Sequence, residues 1–202
     1  MLKIEGLTVK FKDKTIFENW NSTFEENKIY TVLGKSGCGK STLLRTIAGL
    51  LKPNSGVISY NDKKITKPIE QVFMMHQAYT NFPWKNCLEN VLFPIKLKRK
   101  VTSEDIIFAK EMINRVGLND CESKYPDELS GGMKQRLALA RVLVSKPPVI
   151  LMDEPLSALD DKTRESMQKL ILDLHEETSN TVIMVTHNQE EAHKMGDFIL
   201  NL

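Results

Sequence analysis

The chain contains no apolar run near the roughly 18 residues that a membrane-spanning helix requires. Its longest candidate, VLVSKPPVILM at 142–152, is interrupted by lysine and proline. The opening MLKIEGLTVKF lacks the long apolar core of a secretory leader. Cysteine is scarce. Cys38, Cys87 and Cys121 are odd in number and lack metal-ligand spacing, which excludes a disulfide framework and suits unpaired thiols in a reducing compartment. Charge of one sign is also missing. With 28 Lys and Arg against 26 Asp and Glu, the net charge of +2 offers no nucleic-acid surface. Internal repeats and low-complexity stretches are absent. These absences lead to the expectation of a cytosolic chain that reaches a membrane only through a partner. At 202 residues it buries roughly 70% of its unfolded surface and needs no covalent staple.

What is present alternates. Residues 2–11 and 16–24 read as half-buried strands, 29–33 as an apolar strand, and 41–50 as a helix closed by Gly49 and Pro53. Strands follow at 56–60 and 69–75. The stretches 88–98, 103–116 and 131–144 carry helical patterns, ended by Pro147 and Pro148. Residues 149–152 are apolar throughout, as a buried parallel strand should be. A helix at 162–177, a strand at 182–186, a helix at 188–195 and a strand at 198–200 complete the pattern. The expected fold is α/β with a mostly parallel sheet and an N-terminal antiparallel β subdomain. The expected core covers about 1–76 and 147–202, with a helical region inserted at about 77–146. The basic run at 96–100 reads as a solvated helix end.

Gly34-Lys35-Ser36-Gly37-Cys38-Gly39-Lys40-Ser41 fits G-x-x-x-x-G-K-[ST] between a strand and a helix, with Thr42 following. Phosphate oxygens need several backbone N–H donors converging on one point, and a chain short of Cβ atoms can wrap that tightly. The helix adds the positive end of its dipole. Lys40 supplies a compact charge for β- and γ-phosphates, and the Ser41 hydroxyl suits Mg²⁺. A nucleotide with Mg²⁺ is therefore expected.

Residues 149–154 place Asp153 and Glu154 after four apolar positions. A buried strand delivers such acids to the sheet edge where α/β folds bind ligands. Taken alone the pair could cap a helix. Beside the glycine loop, Asp153 is expected to orient Mg²⁺ through water and Glu154 to act as general base on a water. LSGGMKQR at 129–136 opens another helix, where Ser130, Gly131 and Gly132 form a second anion-facing turn. One nucleotide cannot obviously touch both turns if they lie far apart.

Together GKSGCGKST, LSGGMKQR and VILMDEPLSALD resemble the ATP-binding cassette ATPases over nearly the whole chain. That resemblance implies a head-to-tail pair of subunits, with ATP held between the glycine loop of one and the LSGGM helix of the other. It further implies adenine stacking on Phe11, although a strand-core role also fits that residue. Gln77 falls at the glutamine that senses Mg²⁺ and water. Residues 157–160, ending in Asp160, fall at the loop that crosses to the second subunit, and His187 falls at the histidine that contacts the γ-phosphate. Lys35 stands where the family often has proline, and Asn188 where it often has aspartate.

Residues 82–91, FPWKNCLENV, are similar to a stretch of nitrate, sulfonate and taurine importer ATPases, shared by importers of thiamine precursors. In those relatives the region receives a helix of the permease. Phe82 and Trp84 are then candidate anchors, with a core role for either left open. The implied partners are integral-membrane permease subunits, a second ATPase subunit in a homodimer and, indirectly, an external solute-binding protein, with no nucleic acid. The implied location is the cytoplasmic face of the cell membrane. The chain ends soon after its last strand, so an appended regulatory domain is not expected. A soluble ATPase of the same clan in DNA or ribosome function and an exporter ATPase are the alternatives. A guanine-reading N-K-x-D motif is absent, and a kinase or GTPase leaves LSGGMKQR without a purpose.

Overall fold

The computed structural model describes residues 1–11, 14–76 and 81–202. Two compact units emerge: residues 1–74, 148–154 and 179–202 form one, and residues 75–147 and 155–178 the other.

The first unit contains two sheets. Strand β1 (Leu2–Phe11) turns Leu2, Ile4, Leu7 and Val9 inward. The inward spacing slips by one between Ile4 and Leu7, and the register against β2 (Lys14–Phe24) shifts at the same place. The other strands are β3 (Ile29–Leu33), β4 (Ser55–Tyr60), the two-residue β5 (Lys63–Lys64), β6 (Val72–Met75), β7 (Val149–Asp153), β8 (Thr181–Thr186) and β9 (Phe198–Asn201). The antiparallel sheet runs β2-β1-β4-β5, and the second runs β6-β7-β8-β3-β9. In the latter, β3 pairs in parallel with β8 and β9, and β7 in parallel with β8. All residues of β7 and β8 are buried, which explains their apolar runs at 149–152 and 182–185.

Helix α1 (Lys40–Ile47) packs on β7 and β8, and α6 (Gln189–Met195) on β3 and β8. Helix α1 ends three residues earlier than its periodicity predicts. The Gly49 and Leu50 amides bond back to the Thr46 and Arg45 carbonyls, and Gly49 has φ +71°. Leu43, Leu44 and Ile47 from α1 join Leu2, Ile4, Leu7, Phe24, Val32, Leu151 and Val185 in one core. Each such side chain contributes about 1.5–3 kcal/mol on burial.

The second unit is helical: α2 (Cys87–Lys98), α3 (Ser103–Arg115), α4 (Gly131–Leu143) and α5 (Asp161–Thr178), with a 3-10 turn at Pro126–Glu128. Asn86 with Glu89 and Thr102 with Asp105 form capping boxes that start α2 and α3. A bidentate Arg115–Glu177 pair, at 2.9 and 3.1 Å, ties α3 to α5. All three cysteines are free; Cys87 and Cys121 are buried, and burial pushes the Cys87 thiol up to about 11. No helix among the described residues is long and apolar enough to cross a membrane.

Candidate functional site

The parallel register sets the site. Leu33 lies opposite Thr186, and Asp153 opposite Val185. The C-terminal ends of β3, β7 and β8 therefore open onto one edge of the sheet, and the residues following each strand meet there.

After β3 comes the glycine loop. Gly39 sits before α1 with φ +114°, and a Cβ there would overlap Ile16 Cγ2. Only glycine combines that angle with so close an approach to β2. Gly39 brings no capping side chain, so the first-turn amides of α1 face the loop without one. Lys35, Ser36 and Gly37 are exposed, and Gly34 and Cys38 half-buried. A Cβ on Gly34 would come within 2.7 Å of the Cys38 sulfur. Lys40 is buried, and its ammonium donates to the Gly34 carbonyl at 2.7 Å and the Lys35 carbonyl at 3.1 Å. Lys40 thus lies across the loop on two neutral acceptors, which an anion can outbid.

Ser41 follows, and its hydroxyl donates to Asp153 Oδ1 at 2.9 Å. A hydroxyl and a carboxylate meeting beside a phosphate cradle suit Mg²⁺, which is commonly held by one or two carboxylates plus substrate phosphates. The described residues contain no cluster of three His, Cys, Asp or Glu that would hold a metal by themselves. The fit therefore depends on phosphate oxygens completing the shell.

Glu154 takes φ +48°, a left-handed angle that costs a residue with a side chain about 1–2 kcal/mol. Its amide donates to the Val185 carbonyl at 3.1 Å, which holds the turn. Its carboxylate Oε1 lies 3.3 Å from His187 Nδ1. The Glu154 side chain is 16% exposed and that of His187 60%, so the pair faces outward. Phe11, at the end of β1 and opposite Lys14, is 47% exposed, which removes it from the strand core. The hairpin that carries it passes the loop, where Ile16 and Phe17 border Gly39. Thr42 lies in the first turn of α1 and its carbonyl accepts from the Thr46 hydroxyl. Gln77 lies outside the described residues.

A second group assembles in the helical unit. Ser130 caps α4, its Oγ accepting from the Met133 amide at 3.3 Å. Gly131 opens onto free space, and Gly132 packs beside Leu159 and Ala158. The start of α4 and the 157–160 loop are thus neighbours. Asp160 accepts from the Thr163 amide at 3.0 Å. Bonding to Thr163 holds its carboxyl below the usual carboxylate range, with Arg136 adding a smaller effect. Phe82 is half-buried, 4.3 Å from Phe93 and with the Arg141 guanidinium over its ring, whereas Trp84 is 70% exposed.

Three residues with clear positional work escaped the sequence reading: Asn90, Thr186 and Glu191. Asn90 is fully buried and grips the loop before α2. Glu191 lies three residues after Asn188, a spacing that marks a helix start and signals the cap found there.

A family model for ABC transporters matches residues 17–157. The chain is 42% identical to an uncharacterized ABC transporter ATP-binding protein of Methanocaldococcus jannaschii, covering 100% of this chain and 77% of that one. It is 41% identical to a taurine import ATP-binding protein of Ruegeria pomeroyi, over 98% and 76%. It is 42% identical to a spermidine/putrescine import ATP-binding protein of Mycoplasma mycoides, of which it spans only 58%. Among solved structures, a dimeric bacterial ABC transporter cassette superposes with a TM-score of 0.92 at 32% identity, covering 100% of this chain and 94% of that one. A post-hydrolysis state of that cassette, bound to ADP and Pi, gives 0.91 over the same shares. From the glycine loop and sheet-edge acids to the matched family model, these findings establish that the chain belongs to the ABC transporter ATP-binding family and has its P-loop ATPase fold.

Proposed function

We propose that this chain is the ATP-hydrolysing subunit of a membrane importer for a small solute, and that closure of two copies on ATP drives transport. The observation that carries this reading is the convergence of Lys40, Ser41, Asp153, Glu154 and His187 on one sheet edge, with Glu154 and His187 at 3.3 Å. Incoming phosphates draw the Lys40 ammonium from the Gly34 and Lys35 carbonyls. The amides of Gly34, Lys35, Ser36, Gly37, Cys38 and Gly39 wrap the β-phosphate, with Thr42 beside it. Phe11 stacks on the adenine. Ser41, Asp153 and Gln77 would hold Mg²⁺, which when bound offsets phosphate charge.

Glu154 takes the proton of a water whose oxygen bonds to the γ-phosphorus while the bond to the β-γ bridging oxygen breaks. His187 steadies Glu154 and contacts the γ-phosphate. Ser130, Gly131 and Gly132 of a second copy close over the same phosphate, with Asp160 in the crossing loop. The dimeric state of the related cassette supports this pairing.

Trp84 presents an exposed aromatic for a permease helix at the cytoplasmic face of the membrane, where an external solute-binding protein acts indirectly. The FPWKNCLENV stretch favours nitrate, sulfonate, taurine or a thiamine precursor as cargo. Relatives named for taurine and for spermidine/putrescine match at 41% and 42%, in keeping with cargo being read by other subunits.

Glu154→Gln is the test. It keeps shape and hydrogen bonding but removes the base. Steady-state turnover should fall by about 100-fold or more while ATP binding persists, and gel filtration with ATP should give a stable dimer. Normal hydrolysis by this variant would remove Glu154 from the base role, and a lone subunit with bound ATP would refute the shared seam.

A further inference from the structure

The histidine after β8 is held by a closed ring of hydrogen bonds. Thr186, buried at the end of β8, donates its hydroxyl to the carboxylate of Glu191, itself buried in α6. The same hydroxyl oxygen accepts from the Asn188 amide at 3.0 Å. The Asn188 side-chain oxygen accepts from the Glu191 amide at 3.0 Å, closing the ring. His187 lies between the two residues that the ring fixes, with its Nδ1 3.3 Å from Glu154. Its imidazole is exposed, with Glu154 as its ion-pair partner among the described residues, so its aim depends on the backbone on either side. That backbone is anchored on one side by the β8 register, Leu33 opposite Thr186, and on the other by the cap of α6.

We propose that Thr186 and Glu191 are positioning residues for hydrolysis: their hydrogen bond sets the direction in which His187 faces Glu154 and the γ-phosphate. This rests on the assignment of His187 and Glu154 given above. The ring explains why asparagine serves at position 188, since a cap needs only an oxygen acceptor there. A buried carboxylate that receives a hydroxyl also resists small displacements, because moving away gives up a hydrogen bond that water cannot readily replace. Displacement of a reacting group by about 1 Å costs roughly 100-fold in rate.

Thr186→Val, near-isosteric and lacking the hydroxyl, should lower kcat about tenfold or more with the KM for ATP little changed. Glu191→Ala should do the same, and Glu191→Gln, which keeps an acceptor for Thr186, should recover most of the rate. On a His187→Ala background, Thr186→Val should add no further loss, because both act through one imidazole. Melting curves identify any variant that fails to fold, and Thr186→Val with its unchanged volume carries the test if Glu191→Ala does. An unchanged kcat in Thr186→Val, or a full additional loss on the His187→Ala background, overturns the positioning role while the ATPase assignment stands. Normal turnover by His187→Ala alone overturns the His187 assignment and the proposal with it.

Discussion

Asn90 makes the interior of the helical unit testable with one substitution. Its side chain accepts from the Phe82 amide at 2.8 Å and donates to the carbonyls of Phe82, Lys85 and Asn86 at 3.1, 2.8 and 3.0 Å. The residue is fully buried, so these bonds stand in for water that cannot enter. Asn90→Leu keeps the heavy-atom count and branching of the side chain and removes all of them. The Phe82 carbonyl still accepts from the Lys85 amide, and the Asn86 carbonyl from the amide of residue 90. The loss therefore falls chiefly on the Phe82 amide and the Lys85 carbonyl. At about 1–3 kcal/mol for each of the two polar groups left without its bond, less about 1.5–3 kcal/mol gained from a buried Leu side chain, the net cost is about 2 kcal/mol. For a chain of this length that corresponds to a fall in melting temperature of about 4–8 °C. Circular dichroism at 222 nm reads the transition, and in a Trp20→Phe background tryptophan fluorescence reports on Trp84, on the loop that Asn90 grips. A melting temperature within about 2 °C of the parent would show that water or local rearrangement replaces these bonds, and that the loop is not held as described.

Lys40→Ala should abolish tight ATP binding in a fluorescent-nucleotide titration, because the cradle loses its only buried ammonium among the described residues; unchanged affinity would remove the loop from phosphate binding. The Asp105 carboxyl is held well below the usual carboxylate range, first by its hydrogen bond from the Arg99 guanidinium and then by the Thr102 amide. Its folded pKa is lowered, so its stabilising contribution is complete above the unfolded value of about 3.9 and is lost as pH falls below that. The gap in melting temperature between the parent and Asp105→Asn should therefore be widest near neutral pH and close on acidification. A gap that is constant with pH would place the effect in the cap geometry and not in the charge.

The chain reported its chemistry locally and its architecture only in part. The glycine loop, the acids after β7 and the LSGG turn could be read directly, because each function needs particular residue types at fixed spacing within a few positions. Strand β7 was legible because full burial leaves an unbroken apolar signature. Strand β5 was not, since two lysines carry no periodicity and form a strand only by pairing with β4. Helix α5 was legible as a helix, but its grouping with residues 75–147 depends on contacts such as Arg115–Glu177, 62 positions apart. The same holds inside the site. Ser41 and Asp153 are separated by 112 positions, and no local pattern states that one hydroxyl reaches the other carboxylate. The sequence by itself determined which groups are available: the amides of a glycine loop, a lysine, two acids and a histidine. Only the tertiary structure decided that β3, β7 and β8 lie side by side in parallel, because strand order follows from burying apolar faces far apart in the chain, and that order is what brings the candidate groups to one edge.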